Sequence, residues 1–438
     1  MRVAVVGGGL AGLTAAYRLT RASADVTVFE SADRPRGALR SVEVGGIRLP
    51  AGADAFWARK PAAVDLCREL GVQVASPATS GTWLWTEGGL VAYPTGTAFG
   101  IAGDPGDVLR WPGVSRAGRR RALADLLKAR RKDAGDQTLG ALLRRRLGDE
   151  VTDLAVGPLL TAPTAGDVDR MSIRACFPEL ERWEASQGSL IRGAQAANRA
   201  VRKGPDPGPM FVQPRGGVEA LTEALTERLG EHRVRTGSRV TALGSLEADA
   251  IVLAVSASEA RRLVASIARE AADDLDAIRA ASVVVALLVY PEGTASALPD
   301  GTGFVAPRGK APMRSSAWLS SRWPSPSFGT RAIMSCILGG AGDEDILHAA
   351  DHEIAEACER HLAAVLPLPA HAEHAAVVRW PDAIPQYDLG HVERVARIRD
   401  HLPQGIFVVG QSYDGVDVPD VVRAAGEVAA AVIEGNRR

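Results

Sequence analysis

Two glycine-rich segments at opposite ends of this 438-residue chain constrain its fold more than anything between them. The first, Val3-Ala4-Val5-Val6-Gly7-Gly8-Gly9-Leu10-Ala11-Gly12, reads as a strand, a tight turn and the start of a helix. Gly7, Gly9 and Gly12 fill the glycine positions of G-x-G-x-x-G. The first lets the chain turn, the second lets backbone approach a pyrophosphate, and the third lets helix pack on strand. The N–H groups and positive end of that helix then face the phosphates. A second strand, Asp25–Phe29, delivers Glu30, whose carboxylate is placed to accept a ribose 2′-hydroxyl and to disfavour a 2′-phosphate.

A glycine turn also begins helices that bind nothing, so by itself the motif is weak. With strand, helix and acid in order it reads as a dinucleotide site. The second segment, Phe407-Val408-Val409-Gly410 leading into Asp414-Gly415-Val416-Asp417-Val418-Pro419, narrows the choice to FAD. FAD enzymes of this kind bring a late strand and helix back to the flavin, which NAD dehydrogenases have less need to do.

The remaining composition sets limits. At 46% hydrophobic residues the chain can bury a large core, and its length is that of two or three domains. A net charge of −1 gives no reason to expect nucleic acid as a partner. Cys67, Cys176, Cys336 and Cys358 are scattered without a C-x-x-C, which fits a reducing cytosol better than a disulfide framework or a zinc site. The chain opens on its first strand, so no signal peptide is expected, and the strongest apolar run, Ala281 to Tyr290, is too short to span a bilayer. The expectation is a soluble, cytoplasmic protein.

Along the chain the pattern predicts a helix at Ala62–Leu70 and a short hairpin of Trp83-Leu84-Trp85 with Leu90–Tyr93. Mostly helical sequence follows from Asp107 to Arg202, interrupted at Thr161–Asp169 and Pro178, and Gly204–Pro209 reads as a linker. Strands are expected ending at Val240–Ala242, at Ala250–Ala254, at Val283–Tyr290 and near Ala332–Leu338, and a helix at Asp345–Leu366. The fold expected is α/β. A Rossmann-type, glutathione-reductase-like FAD-binding domain is discontinuous over 1–60, 204–265 and 395–438. A mixed-sheet substrate domain takes 75–95 and 266–394, and a helical insertion takes 96–203.

Several further motifs stand in order: Gly52-Ala53-Asp54-Ala55-Phe56 through Arg59-Lys60-Pro61, Ala165-Gly166-Asp167 with Met171–Arg174, and Arg215-Gly216-Gly217. They continue with Gly301–Val305, Arg322-Trp323-Pro324, Arg379-Trp380-Pro381, Ile384-Pro385-Gln386-Tyr387-Asp388-Leu389-Gly390-His391, and the Gly410–Pro419 segment. Through them the chain resembles the protoporphyrinogen/coproporphyrinogen oxidase family of the flavin amine oxidase superfamily, over nearly its whole length. The resemblance runs strongest to the bacterial soluble coproporphyrinogen III oxidases, and it implies an amine-oxidase-like architecture. It also implies FAD-dependent dehydrogenation of coproporphyrinogen III in three two-electron steps, with oxygen as acceptor and hydrogen peroxide released, as part of haem biosynthesis. No catalytic acid or base stands out, and none is named.

By the same resemblance, the flavin contacts beyond Gly7, Gly9, Gly12 and Glu30 are Leu10, Ala11, Ser31, Arg36, Gly37, Ala38, Gly52, Ala53, Val240, Gly410, Val416, Asp417 and Val418. A substrate with four propionates asks for apolar walls and several cations. Lys60 matches a basic family position and is one of five lysines in a chain that otherwise uses arginine. Arg59, Arg314 and Arg322 are further candidates, since guanidinium pairs well with carboxylate. The loop Thr161–Gly166, with Thr164, should line the pocket. For each of these a solvated or purely structural residue is the plain alternative.

The sequence departs from the family pattern at four places. Gly37-Ala38 replaces a glycine pair, Asp417 replaces a glycine in the last motif, and Thr164 and Ala162 replace an aromatic and a glycine in the pocket loop. Only Leu243–Ala248 stands where the family has a β-hairpin. A carboxylate at 417 beside a flavin would disfavour its anionic reduced form, unless it points to solvent or meets Arg423. Two other readings therefore stay open: a related oxidase or desaturase for another substrate, and a flavin-free paralogue that binds porphyrin or a partner.

Other signals are weaker. The basic stretch Arg110–Lys132, interleaved with Trp111, Leu123, Leu126 and Leu127, reads first as a solvated face. It is also a candidate for weak contact with a membrane surface or a haem-pathway enzyme. His348 and His352 share a metal-ligating spacing on the expected helix but lack a third ligand, so no metal is expected.

Overall fold

The first strand, Arg2–Val6, is buried along all but its first residue, so it needs cover on both faces and a partner on both edges. The computed structural model, which describes all residues except 36, 95, 132–134, 205–207 and 436–438, supplies them. A five-stranded sheet runs in the order Val234–Arg235, Asp25–Phe29, Arg2–Val6, Ala250–Leu253, Ile406–Val408, every pair parallel. Val5 sits opposite Val28 on one side and Val252 on the other. Val3 and Val5 point into a core with Leu13, Leu66, Leu221 and Val421, and Val6 points into another with Ala260, Leu275 and Ile398. The helices Leu10–Arg21, Pro61–Leu70, Glu219–Leu229 and Val418–Gly435 thus cover one face. Ala257–Val264, Arg269–Asp276 and His391–His401 cover the other.

The packing differs from the expected boundaries. Arg269–Asp276 lies under the first sheet, although a boundary at 265/266 leaves it out, and a boundary at 394/395 cuts the His391–His401 helix in two. Tertiary burial decides both, because their apolar faces (Leu275, Ile398) match those of Ala257–Val264.

A second, seven-stranded sheet runs His374–Pro385, Ala280–Val289, Ile333–Gly339, Ser315–Trp318, Gly303–Val305, Trp83–Thr86, Gly89–Ala92. It is antiparallel apart from the Gly303–Val305 and Trp83–Thr86 pair. Ala280–Val289, second from one edge, is its long apolar strand, with Val284, Ala286 and Leu288 against the Asp351–Val365 helix. Val285, Leu287 and Val289 lie against Leu49 of a hairpin formed by Ser41–Val44 and Ile47–Pro50.

Two expected elements differ. The helix at 345–366 is broken: a 3-10 turn, Glu344–His348, is followed by extended Ala349 and Ala350 before Asp351–Val365 begins. His348 and His352 therefore do not share a helix. The expected strand ending at Val240–Ala242 forms no ladder; the strand there is Val234–Arg235, and a 3-10 turn at Leu243–Ser245 leads on to Ala250. Within the expected linker, Pro205, Asp206 and Pro207 lie outside the described residues, as does Lys132 of the basic stretch.

The helical insertion packs around Trp111, Leu142, Leu147, Leu180 and Ile191 and encloses a set of charges. Arg146 is fully buried, with Nη2 2.6 Å from Glu184 Oε1 and Nη1 3.3 Å from Asp125 Oδ1. Ser189 Oγ and Ile191 N–H donate to the other oxygen of Asp125. Burial alone would raise the Glu184 carboxyl, but hydrogen bonds and charge from Arg145 and Arg146 outweigh it and hold it at about 2. The cations of the basic stretch join in: Arg121 and Lys128 donate to the carbonyls of Arg144, Arg145 and Arg146, the free end of the Leu139–Leu147 helix.

Glu184→Gln should cost about 3 kcal/mol, because it removes the shorter of the two carboxylate contacts of buried Arg146 and leaves Asp125 at 3.3 Å to balance it. The depressed carboxyl also fixes a pH window. Its contribution is complete above the ordinary value of 4.5 and is lost as pH falls toward about 2. Urea midpoints of wild type and variant should therefore converge across that window, and parallel curves would contradict the assignment.

Candidate functional site

The glycine turn closes the first strand as its spacing requires. Gly7 has φ +107°, and a Cβ there would lie 2.4 Å from the Ala254 carbonyl oxygen. On Gly12 a Cβ would lie 1.9 Å from the Gly7 carbonyl oxygen, so the helix comes this close to the turn only because residue 12 is glycine. Gly9 is the N-cap of Leu10–Arg21 and offers no side-chain acceptor, which leaves the first amides of the helix to a ligand or solvent. The backbones of Gly9 and Gly37 face each other, and a Cβ on Gly37 would stand 3.0 Å from Gly9 Cα. Gly410, φ +131°, lies against Ala11 from the far end of the chain. These residues form a cradle that side chains would fill.

Glu30 is fixed at the base of that turn. One carboxylate oxygen accepts from Gly8 N–H at 2.7 Å, and the other from Ala32 N–H at 2.8 Å and Ser31 Oγ at 3.2 Å. The oxygen facing Gly8 accepts one bond and keeps acceptor capacity for a hydroxyl. The 238–240 segment runs alongside: Ser238 N–H donates to the Glu30 carbonyl, and buried Val240 is held through its carbonyl by Arg262. Gly52 fits between the Ala38 carbonyl and the Trp380 ring, whose Nε1–H donates to the Ala51 carbonyl at 2.7 Å. Ala53 is exposed, and Arg36 lies outside the described residues.

At the second glycine segment, Asp417 caps the last helix, Val418–Gly435. Its carbonyl accepts from Asp420 and Val421, and its Oδ1 accepts the Val418 N–H at 2.9 Å. It does not meet Arg423, which pairs with Glu427 and donates to the Asp414 carbonyl. Burial pushes the Asp417 carboxyl up and Asp420 adds to this, while Lys60 opposes it; the result is about 6. Val416 is half-buried beside it, and Val418 is buried. Lys60 Nζ is 2.6 Å from Asp420 Oδ2, so the expected propionate ligand carries an internal partner that local sequence gave no sign of. Arg59 is exposed and makes no ion pair among the described residues.

The Thr161–Gly166 loop is pinned at three successive carbonyls: Thr164 by Gln386 Nε2 at 3.0 Å, Ala165 by Ala341 N–H at 2.9 Å, and Gly166 by Arg314 Nη1 at 3.1 Å. Arg314 is 8% exposed and also donates to the carbonyls of Gly339 and Ala341 and to Asp343. Read from sequence as a propionate ligand, it is a loop anchor in the structure. Arg322 pairs with Asp54 at 3.0 Å and lies over the Phe211 and Trp323 rings. Sequence reasoning missed Asp420 and the anchoring role of Gln386, although Gln386 stands in the strongest family motif.

A glycine cradle, an uncapped helix terminus and an anchored acid fit the pyrophosphate and ribose of FAD. Comparison with known proteins agrees. The family model for flavin containing amine oxidoreductases matches residues 10–433. A coproporphyrinogen III oxidase of Mycobacterium bovis is 35% identical, over 98% of this chain and 97% of the relative. One from Bacillus subtilis is 27% identical, over 96% of this chain and 95% of the relative. A solved protein from Exiguobacterium sp. 255-15 superposes with a TM-score of 0.88 at 25% identity, covering 100% of this chain and 99% of that one.

Asp417→Asn keeps the helix cap and removes the charge. Because the folded carboxyl value of about 6 lies above the ordinary 3.8, the wild type loses stability as pH rises through that range and no further beyond it. The variant should match wild type near pH 4 and exceed it from pH 7 upward, by at most about 3 kcal/mol. Thermal unfolding across pH checks this, and a gap that does not change with pH would refute it.

Proposed function

We propose, from the premise that this chain belongs to the flavin containing amine oxidoreductases and within them to the coproporphyrinogen III oxidases, that it converts coproporphyrinogen III to coproporphyrin III in haem biosynthesis. The observation that carries the reading is the 35% identity to such an oxidase over 98% of the chain. FAD, when bound, supplies the two-electron acceptor. Removing six hydrogens from the macrocycle consumes three O2 and releases three H2O2.

The protein's part is to bind, orient and exclude water. Backbone at Gly7, Gly9 and Gly12 and the start of the Leu10–Arg21 helix hold the pyrophosphate, and Glu30 holds the ribose. Ser31, Ala38, Gly52, Ala53, Val240, Gly410, Val416, Asp417 and Val418 would supply the cofactor's further contacts. Arg59 and Lys60 meet propionates, with an incoming carboxylate competing against Asp420 for Lys60. Thr164 lines the pocket, and Arg314 acts on substrate only through the loop it anchors.

No helix among the described residues is long and apolar enough to cross a membrane. Our reading places the enzyme in the cytoplasm, with weak contact to an anionic surface through Arg116, Arg120 and Arg130 beside exposed Leu127. Co-sedimentation with anionic vesicles at low salt, abolished at high salt, is the expected result.

The deciding experiment is the visible spectrum of the purified protein after FAD addition and desalting, followed by incubation with coproporphyrinogen III. Retained flavin bands, porphyrin formation and about three peroxides per porphyrin are expected from the stoichiometry above. A protein that cannot hold flavin ends the oxidase reading. A flavoprotein that leaves coproporphyrinogen untouched acts on another substrate.

A further inference from the structure

We propose that Gln386 and Tyr387 are paired positioning residues, one setting the substrate-side loop and the other setting the flavin-side turn from a single point of the backbone. The inference deepens the reading above and rests on it. Both residues follow the end of the His374–Pro385 strand, and both are buried, Gln386 at 4% exposure and Tyr387 at 6%. In extended chain, neighbouring side chains point to opposite sides, and here they reach two different parts of the molecule.

Gln386 Nε2 donates to the Thr164 carbonyl at 3.0 Å and to the Ile384 carbonyl at 3.0 Å. The same amide crowds the loop, since a Cβ on Gly166 would lie 3.1 Å from Gln386 Oε1. The Tyr387 hydroxyl donates to the Gln411 carbonyl at 2.6 Å and accepts the Gly415 N–H at 2.7 Å. It therefore bridges the two ends of the turn that leads from Gly410 toward Asp417, a turn in which Gly415 has φ +121° and no room for a Cβ beside Asp420. Gln411 returns the contact by donating to the Ala383 carbonyl at 2.8 Å.

The ring of Tyr387 is fixed independently of its hydroxyl. It stacks on His391, centroids 3.7 Å apart and planes 14° from parallel, and burial holds that imidazole neutral, down at about 4. The Tyr387 carbonyl accepts the Ser172 N–H at 2.8 Å, which ties the helical insertion to the same residue. A phenol held by its ring and its backbone is a rigid ruler for the Gln411 and Gly415 groups. Removing the oxygen leaves ring and stack in place and strands one half-buried donor and one half-buried acceptor.

The test compares Tyr387→Phe and Gln386→Met as FAD-loaded proteins. Three readouts are used: FAD release on dilution, the KM and kcat for coproporphyrinogen III, and amide hydrogen exchange of 161–166 and 410–415. Tyr387→Phe should release FAD roughly tenfold faster and exchange faster at 410–415, with KM moved by less than about twofold. Gln386→Met should raise KM several-fold and loosen 161–166, with FAD release unchanged. Rescue of tight FAD by Tyr387→His would count against a phenol-specific bridge. Equal effects of both variants on FAD release, KM and exchange would overturn the proposal in favour of a general structural pin, and so would no effect in either. Failure of wild type to oxidise coproporphyrinogen sinks the substrate reading alone. FAD release and the two exchange profiles still decide the proposal.

Discussion

The parallel ladder of Arg2–Val6 is the constraint from which the rest of the molecule follows. A strand buried on both faces must find neighbours on both edges, and in a parallel sheet those neighbours cannot be joined to it by a tight turn. One is Asp25–Phe29, and the other is Ala250–Leu253, which in turn carries Ile406–Val408. That last pairing brings Gly410 against Ala11 and places the final helix beside the first. The cofactor cradle is therefore a product of sheet closure. Between the strands the chain is free to build a second sheet and a helical insertion without disturbing the glycine turn.

Much of this was legible locally. The strand, turn, helix and acid of the first thirty residues declare themselves because each depends on its own few neighbours: Gly7 must turn, Gly12 must lack a Cβ, and Glu30 must end a strand. The hairpin at Trp83–Thr86 and Gly89–Ala92 and the apolar strand at Ala280–Val289 were visible for the same reason. What escaped was set by distance along the chain. Lys60 and Asp420 are an ion pair across most of the sequence, and no local pattern distinguishes that lysine from one free to meet a ligand. An arginine reads the same on paper whether it is solvated or, like Arg314, buried among carbonyls. The break at Ala349 and Ala350 was hidden because alanine favours helix, and here extended backbone won.

The charges divide by use. In the helical insertion, Arg146, Asp125 and Glu184 are sealed from water and fix how its helices meet. Arg121 and Lys128 finish the end of a helix, so part of what looks like a basic surface is interior architecture. Of the other cations described in that stretch, Arg116, Arg120 and Arg130 face solvent. Near the cradle the pattern reverses: Asp417 is short of compensation and sits at the helix terminus best suited to an anion.

The order of the five strands also has a consequence in time. Synthesised from its N-terminus at roughly 5–20 residues per second, the chain waits on the order of 10–45 s between completing Phe29 and completing Leu253. Throughout that interval Arg2–Val6 has one edge without its neighbour, and the wall of the cradle formed by Gly410 does not yet exist. Nascent chains of this protein thus carry an apolar strand with an open flank throughout that interval. The complete cradle exists only once Gly410 has been made, after Ala250–Leu253 has closed the flank, so cover for the open strand and capture of the cofactor belong to successive stages.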